Sequence, residues 1–250
     1  MDGAPQDNLA ILTRVRQNLA AVQSRVATAC ARTGRNPAEV QLVAVTKYAQ
    51  PAWIEAVLAC GVRHLAENRP QQLEQRSAIY PPDVVWHLIG HLQRNKVRKV
   101  VPIARWIHSV DSVRLMQTLD QVAGELGVRP QVLLEVNISG EQQKDGFDPA
   151  ELRASWNEIS GCRSLDLVGL MTMAPFSDDA EQARPVFQGL RALRDELATR
   201  TLTLGAEKNN GFALPHLSMG MTGDFEIAIE EGATLIRIGS ALWDGLEGAA

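Results

Sequence analysis

Apolar residues at Leu9, Leu12, Val15, Leu19, Val22, Val26 and Cys30 recur every three or four positions, so residues 9–35 read as one long amphipathic helix that stops near Gly34. Beyond it the pattern changes. Short apolar runs at 41–46, 63–66, 84–89, 106–110, 131–137, 166–174, 216–219 and 234–238 alternate with helical spacing at 51–60, 71–79, 92–100, 112–127, 149–160, 180–199 and 223–232. Strands that alternate with helices run parallel and are joined by right-handed crossovers. Eight repeats in about 210 residues suit a closed (β/α)8 barrel of the TIM type better than an open doubly wound sheet. The expected fold is α/β: a single barrel domain over residues 1–250, with an added N-terminal helix and residues 1–8 flexible. Residues 201–214, with Gly205 and Asn209-Asn210-Gly211, read as a loop.

Composition narrows the function. The 250 residues are 45% hydrophobic and 22% charged, which excludes a disordered chain. A formal net charge of −4 gives no global positive field for nucleic acid or an anionic membrane. The one compact basic cluster, Arg94, Lys96, Arg98 and Lys99, has helical spacing and no interleaved aromatics, so it reads as a solvated face. Cys30, Cys60 and Cys162 form no C-x-x-C pair, which argues against a disulfide framework or a zinc site. His87 and His91 lack the glutamate of a metalloprotease and read as core or loop histidines, and Met171 with Met173 as strand core. The start, Met1-Asp2-Gly3-Ala4-Pro5, has neither the positive charge nor the apolar run of a secretory signal, and no stretch reaches the ~18 apolar residues of a membrane span. A cytoplasmic protein is expected.

In a barrel, reacting groups sit at the C-terminal ends of the strands, and phosphate is often held by the loops after strands 7 and 8. Lys47 ends the first run on the period-two face of Val43 and Val45. With the valines filling the barrel, it rises into the mouth, partly desolvated, as an amine that can form a Schiff base. A strand-end lysine reaching into solvent is the alternative. Arg237 shares a face with Leu235 and Gly239 in the last run and needs a buried acceptor. That acceptor is either a ligand or a structural carboxylate such as Glu135 or Glu67. Ser218-Met219-Gly220-Met221-Thr222-Gly223 and Gly239-Ser240 gather hydroxyls and backbone N–H groups suited to an anion, or serve only to reverse the chain. A lysine for an imine, a buried arginine and a phosphate cup together describe a pocket for pyridoxal phosphate.

The segments Leu42-Val43-Ala44-Val45-Thr46-Lys47, Glu67-Asn68-Arg69, Trp86-His87-Leu88-Ile89-Gly90 with Leu92-Gln93 and Asn95-Lys96, and His108-Ser109-Val110-Asp111-Ser112 follow in order. Then come Glu135-Val136-Asn137 with Lys144 and Gly146, Gly169-Leu170-Met171, Leu217-Ser218-Met219-Gly220-Met221 and Ile236-Arg237-Ile238-Gly239. In these segments the chain resembles the pyridoxal phosphate homeostasis protein family, single-domain relatives of the alanine racemase N-terminal barrel, over about residues 9–245. The resemblance implies a barrel like that of fold-type III pyridoxal phosphate proteins, with pyridoxal 5′-phosphate as cofactor and an internal aldimine on Lys47. It further implies Arg237 at the pyridine nitrogen, Ser218, Thr222, Gly239 and Ser240 at the phosphate, and Asn68 and Met219 beside the ring. The chain departs from the family pattern at Ala66 (usually glycine), Pro70 and Gln72 (usually valine and glutamate), Thr222-Gly223-Asp224 and the tail Ala241-Leu242-Trp243-Asp244-Gly245.

The function implied is a protein that holds the cofactor on Lys47 for intracellular vitamin B6 homeostasis, without turnover. A two-base racemase needs a second base across the ring, which alanine racemase takes as a tyrosine from a partner's further β domain. This chain has only Tyr48 and Tyr80, and strand alternation would point Tyr48 away from Lys47. The alternative is a slow racemase-like enzyme in which water or a histidine such as His91 is the second acid/base group. A third reading is an aldolase that uses Lys47 without cofactor. The partners implied are the cofactor and, beyond it, apo-enzymes that need it or a regulatory protein. A monomer is expected, with helix 9–35 as the surface open to a partner.

Overall fold

Every one of the apolar runs becomes a strand in the computed structural model, which describes residues 5–141, 145–203 and 213–246. The strands are β1 (Gln41–Val45), β2 (His64–Glu67), β3 (Val85–Leu88), β4 (Trp106–Val110), β5 (Gln131–Glu135), β6 (Asp166–Met171), β7 (His216–Ser218) and β8 (Leu235–Ile238). Each pairs in parallel with the next, and β8 closes on β1, so the barrel read from the alternation is the barrel observed. The helices are α1 (Pro5–Arg32), α2 (Pro51–Ala59), α3 (Pro70–Ser77), α4 (Val97–Val100) and α5 (Val113–Leu126). They continue with α6 (Pro149–Ala154), α7 (Trp156–Ile159), α8 (Arg184–Thr203), α9 (Phe225–Glu230) and α10 (Ser240–Trp243).

Local chemistry explains the ends. Proline at the first position of a helix lacks an N–H that would have no partner there, and Pro51, Pro70 and Pro149 open α2, α3 and α6. Ser112 caps α5 by accepting from Leu115 N, and Gly127 at φ +65° ends it in the left-handed conformation. α1 opens at Pro5, so residues 5–8, expected to be flexible, form its first turn; residues 1–4 lie outside the described residues. Of the expected loop 201–214, the first three residues end α8, and 204–212 lie outside the described residues.

Period-two alternation splits the core into two layers. Val43, Val45, Ala66, Trp106, Leu133, Met171 and Leu235 fill the barrel, while the opposite strand faces meet the helices. Met173, expected in the core, lies past the end of β6 and is 40% exposed. The apolar stripe Val15, Leu19, Val22 and Val26 of α1 is buried on the barrel's own helices, so that stripe is not open to a partner. Arg25–Glu226 (2.8 Å) and Arg32–Glu230 (3.0 Å) tie α1 to α9 along its edge. Among the described residues no helix is long and apolar enough to cross a membrane, and no group of three or more metal-ligating side chains occurs.

Candidate binding site at the mouth of the barrel

Lys47 stands just beyond β1 in a turn held from three sides. Thr46 N donates to Ala66 O at 2.9 Å, and Gln72 Nε2 of α3 donates to Lys47 O at 2.9 Å. Arg76 of α3 donates to Thr46 O (2.5 Å), Ala49 O (2.8 Å) and Glu67 Oε1 (2.5 Å). Trp243 Nε1 of α10 donates to Val45 O at 3.1 Å, which is how the divergent tail is used. The expectation for the side chains needs correction. β1 stops at Val45 and residues 47–48 turn, so strand alternation does not extend to them. Lys47 is therefore exposed rather than partly desolvated. Tyr48 does not point away, because Lys47 Nζ lies 5.0 Å from the centre of its ring.

Glu67 is wholly buried under this turn. Its Oε1 accepts from Thr46 Oγ1 and Arg76, and its Oε2 has no hydrogen-bond partner among the described residues. Burial pushes its carboxyl above the usual range, against the pull of Thr46 and Arg76.

Arg237 is 4% exposed and forms no ion pair with Glu135 or Glu67 among the described residues. Its acceptors are Ser218 Oγ (2.7 Å) and Thr172 O (3.0 Å). Burial lowers its pKa to about 10, opposed by Asp224 and Glu135, so it stays charged at neutral pH. Burial likewise drives Glu135 up to about 7, against the charge of Arg237.

Two of the residues implied as cofactor contacts have fully buried side chains. Ser218 is fully buried inside the barrel, with its hydroxyl bonded to Arg237 Nη1 at 2.7 Å and to His108 Nδ1 at 2.8 Å. Met219, one position on, faces the opposite way and is fully buried between barrel and helices, so its side chain does not reach the mouth.

The rim donors come from the turns after β7 and β8. Thr222 Oγ1 accepts from Ala241 N at 3.3 Å, which joins the two turns, while Asp224 Oδ1 accepts from Met221 N at 2.6 Å and shapes the first. A Cβ added at Gly239 would meet Val45 in ordinary contact, so Gly239 and the exposed Ser240 sit beside the end of β1. Asn68, exposed at the end of β2, borders the same rim and is covered by Gly90. A Cβ at Gly90 would overlap both the carbonyl and the side-chain amide of Asn68. Gly90→Ala is accordingly expected to cost about 1–3 kcal/mol in urea unfolding. An unchanged midpoint would mean that Asn68 moves aside freely.

The sequence reading missed Arg76, Thr172 and the inward placement of His64 and His108, whereas His87 is in the core, one of the two places read for it. Alternation was a usable signal for the histidines, since His64 shares a face with Ala66 and His108 with Trp106. His91 lies at the rim, exposed, with Nδ1 3.1 Å from Asp111 Oδ2. The basic cluster is a solvated face, as expected, with Arg98 bound to Glu125 and Lys99 Nζ 3.5 Å from Glu74. Lys144 lies outside the described residues.

Comparison with known proteins adds a lineage. The family model for the alanine racemase N-terminal domain matches residues 17–246. The pyridoxal phosphate homeostasis protein of Aquifex aeolicus is 38% identical over 228 residues, covering 91% of this chain and 96% of that one. The solved structure of PipY from Synechococcus elongatus PCC7942, with pyridoxal phosphate bound, superposes with a TM-score of 0.77 at 37% identity over 91% of this chain and 99% of that chain. Alanine racemase of Clostridium difficile 630, at 15% identity and a TM-score of 0.65, shares the fold over 92% of this chain and 57% of its own. The barrel, the order of its matched segments and these likenesses agree, and the chain belongs to the pyridoxal phosphate homeostasis protein family, within the alanine racemase N-terminal-domain fold.

Proposed function

We propose that this protein binds pyridoxal 5′-phosphate at the C-terminal mouth of the barrel and serves vitamin B6 homeostasis by holding the cofactor rather than by turning over a substrate. The observation that supports this reading is that three kinds of donor belong to the neighbouring strands β7, β8 and β1 and to the turns that follow them. Lys47 follows β1, Arg237 is buried within β8, and the turn of Thr222 after β7 is joined to that of Gly239-Ser240 after β8. This donor set fits the group: an amine for its aldehyde, a guanidinium for its ring nitrogen, and a hydroxyl with backbone N–H groups for its phosphate. When bound, pyridoxal phosphate supplies an aldehyde for covalent attachment and an electron-withdrawing ring.

The protein's residues would then divide the work. Lys47 provides the attachment point, and Gln72 and Arg76 fix the turn that presents it. Arg237 can only donate, so its charge keeps a facing ring nitrogen unprotonated and the ring a weak electron sink. Asn68 borders the ring. PipY, solved with pyridoxal phosphate bound, and the curated relatives support the same ligand. The free thiols Cys30, Cys60 and Cys162 suit a cytoplasmic protein, and a monomer that passes the cofactor to apo-enzymes or answers to a regulatory protein completes the reading.

One observation favours a second reading. Tyr48 stands beside Lys47, so a racemase-like enzyme with that tyrosine in its site is the competing function. The test is α-proton exchange from D- and L-alanine in heavy water, catalysed by the loaded protein. The holding role predicts exchange far below the ~1 s⁻¹ of an ordinary slow enzyme. Exchange at or above that rate would assign turnover instead.

A further inference from the structure

The chain has five histidines, and three of them form a line through the barrel below Arg237. Arg237 Nη1 meets Ser218 Oγ at 2.7 Å, and Ser218 Oγ meets His108 Nδ1 at 2.8 Å. His108 Nε2 meets His87 Nδ1 at 2.8 Å, and His87 Nε2 meets His64 Nδ1 at 2.9 Å. His87 and His108 are fully buried. His64, half-buried, lines a cavity of about 540 Å³ at the opposite end of the barrel, together with Leu19, Gln23 and Gln41.

The direction of every bond in this line follows from its first member together with the recorded partners of the Ser218 hydroxyl, which among the described residues are Arg237 and His108 alone. A guanidinium has no acceptor, so Ser218 Oγ must accept from Arg237. The single hydroxyl hydrogen of Ser218 is then given to His108, whose Nδ1 has to be the bare nitrogen. His108 therefore carries its proton on Nε2 and donates it to His87, and His87 does the same to His64. The reverse direction would bring two donors onto Ser218 Oγ and leave its own hydrogen with no acceptor recorded among the described residues. A doubly protonated ring at His87 would offer no acceptor to His108, and one at His108 would leave the Ser218 hydrogen with no acceptor recorded among the described residues. Burial holds both rings well below the ordinary histidine value, and the charge of Arg237 adds to this at His108.

We propose that Ser218, His108 and His87 are positioning residues for Arg237, a one-way line of neutral Nε2–H imidazoles that keeps Ser218 an acceptor and so fixes the guanidinium at the floor of the mouth. The consequence for ligand binding rests on the reading that Arg237 faces the ring nitrogen of pyridoxal phosphate. The line itself does not.

The first test needs no cofactor. Nitrogen NMR of ¹⁵N-histidine-labelled wild-type protein at neutral pH is expected to find His108, His87 and His64 each neutral with the proton on Nε2. A proton on Nδ1 of His108 or His87, or an imidazolium at either, would overturn the proposal. The second test compares His108→Gln with His108→Leu, because a glutamine amide can accept from Ser218 and donate to His87 whereas leucine can do neither. His108→Leu is expected to weaken pyridoxal phosphate binding about tenfold, because the hydroxyl that holds the guanidinium loses its own acceptor, and to shift the visible absorption of the bound cofactor. His108→Gln should restore both to within about threefold and without a shift, on the same scale. Equal losses in the two variants, or a leucine variant with wild-type spectrum and affinity, would contradict the proposal. If the leucine variant does not fold, Ser218→Ala takes its place with the same expectations. Protein that takes up no cofactor but shows the three Nε2–H rings would remove the functional reading and leave the line standing.

Discussion

Replacing Arg76 by alanine is expected to destabilise the protein by about 3–5 kcal/mol, the usual cost of removing one partner from a buried ion pair. Arg76 is the cation bound to Glu67, whose carboxylate has no exposure and whose second oxygen has no hydrogen-bond partner among the described residues. The same guanidinium holds Thr46 O and Ala49 O, so the turn that carries Lys47 loosens when it is lost. Urea unfolding measures the first effect, and the rate of covalent cofactor uptake measures the second. Adding Glu67→Leu should recover part of the lost stability, because it removes the buried carboxylate that the first substitution leaves without its cation. A single variant within about 1 kcal/mol of wild type would mean that the pair is a surface-like contact and does not hold the turn.

The second large effect is a pH dependence at Glu135, which is 6% exposed and pushed up to about 7 by burial. In the unfolded chain this carboxyl loses its proton in the ordinary range, whereas in the folded protein it keeps the proton until about 7. Across that window the folded state binds the extra proton, so stability falls as pH rises, and the full penalty is in force above about 7. Glu135→Gln carries no such proton. Relative to wild type it should gain stability from pH 5 to pH 8, approaching about 3 kcal/mol, and then level off. His87 and His108 act in the opposite sense, because the unfolded chain binds protons that these buried rings refuse as pH falls below the histidine range. Both proteins carry that contribution, so it cancels in the comparison. Melting curves of the two proteins at matched pH check the expectation, and a constant or shrinking gap would contradict it.

The barrel was legible because each strand sits in a buried position that demands a run of apolar residues, and each crossover helix shows its own period. What the pattern could not reach is short or lies just past an element's end. α10 has four residues, too few for a helical period, yet its Trp243 holds the last carbonyl of β1. Lys47 and Tyr48 were read by continuing the alternation of β1, and that alternation ends at Val45, where the backbone turns. Ser218 and Met219 were grouped with the glycine turn that follows them. The alternation of β7 separates them, sending Ser218 inward to Arg237 and Met219 outward to the helices. Arg237 was legible as a buried charge in want of an acceptor, but its acceptors are a hydroxyl and the main-chain carbonyl of Thr172, which no spacing between strands far apart in sequence reveals.

The central claim is that one lysine among five, Lys47, takes the cofactor. The direct measurement is borohydride reduction of the protein loaded with pyridoxal 5′-phosphate, followed by peptide mass analysis. One added reduced cofactor per chain, on the peptide that contains Lys47 and absent from Lys47→Ala, is the predicted result. Label on Lys96, Lys99 or another lysine in place of Lys47, or no label at all, would contradict it.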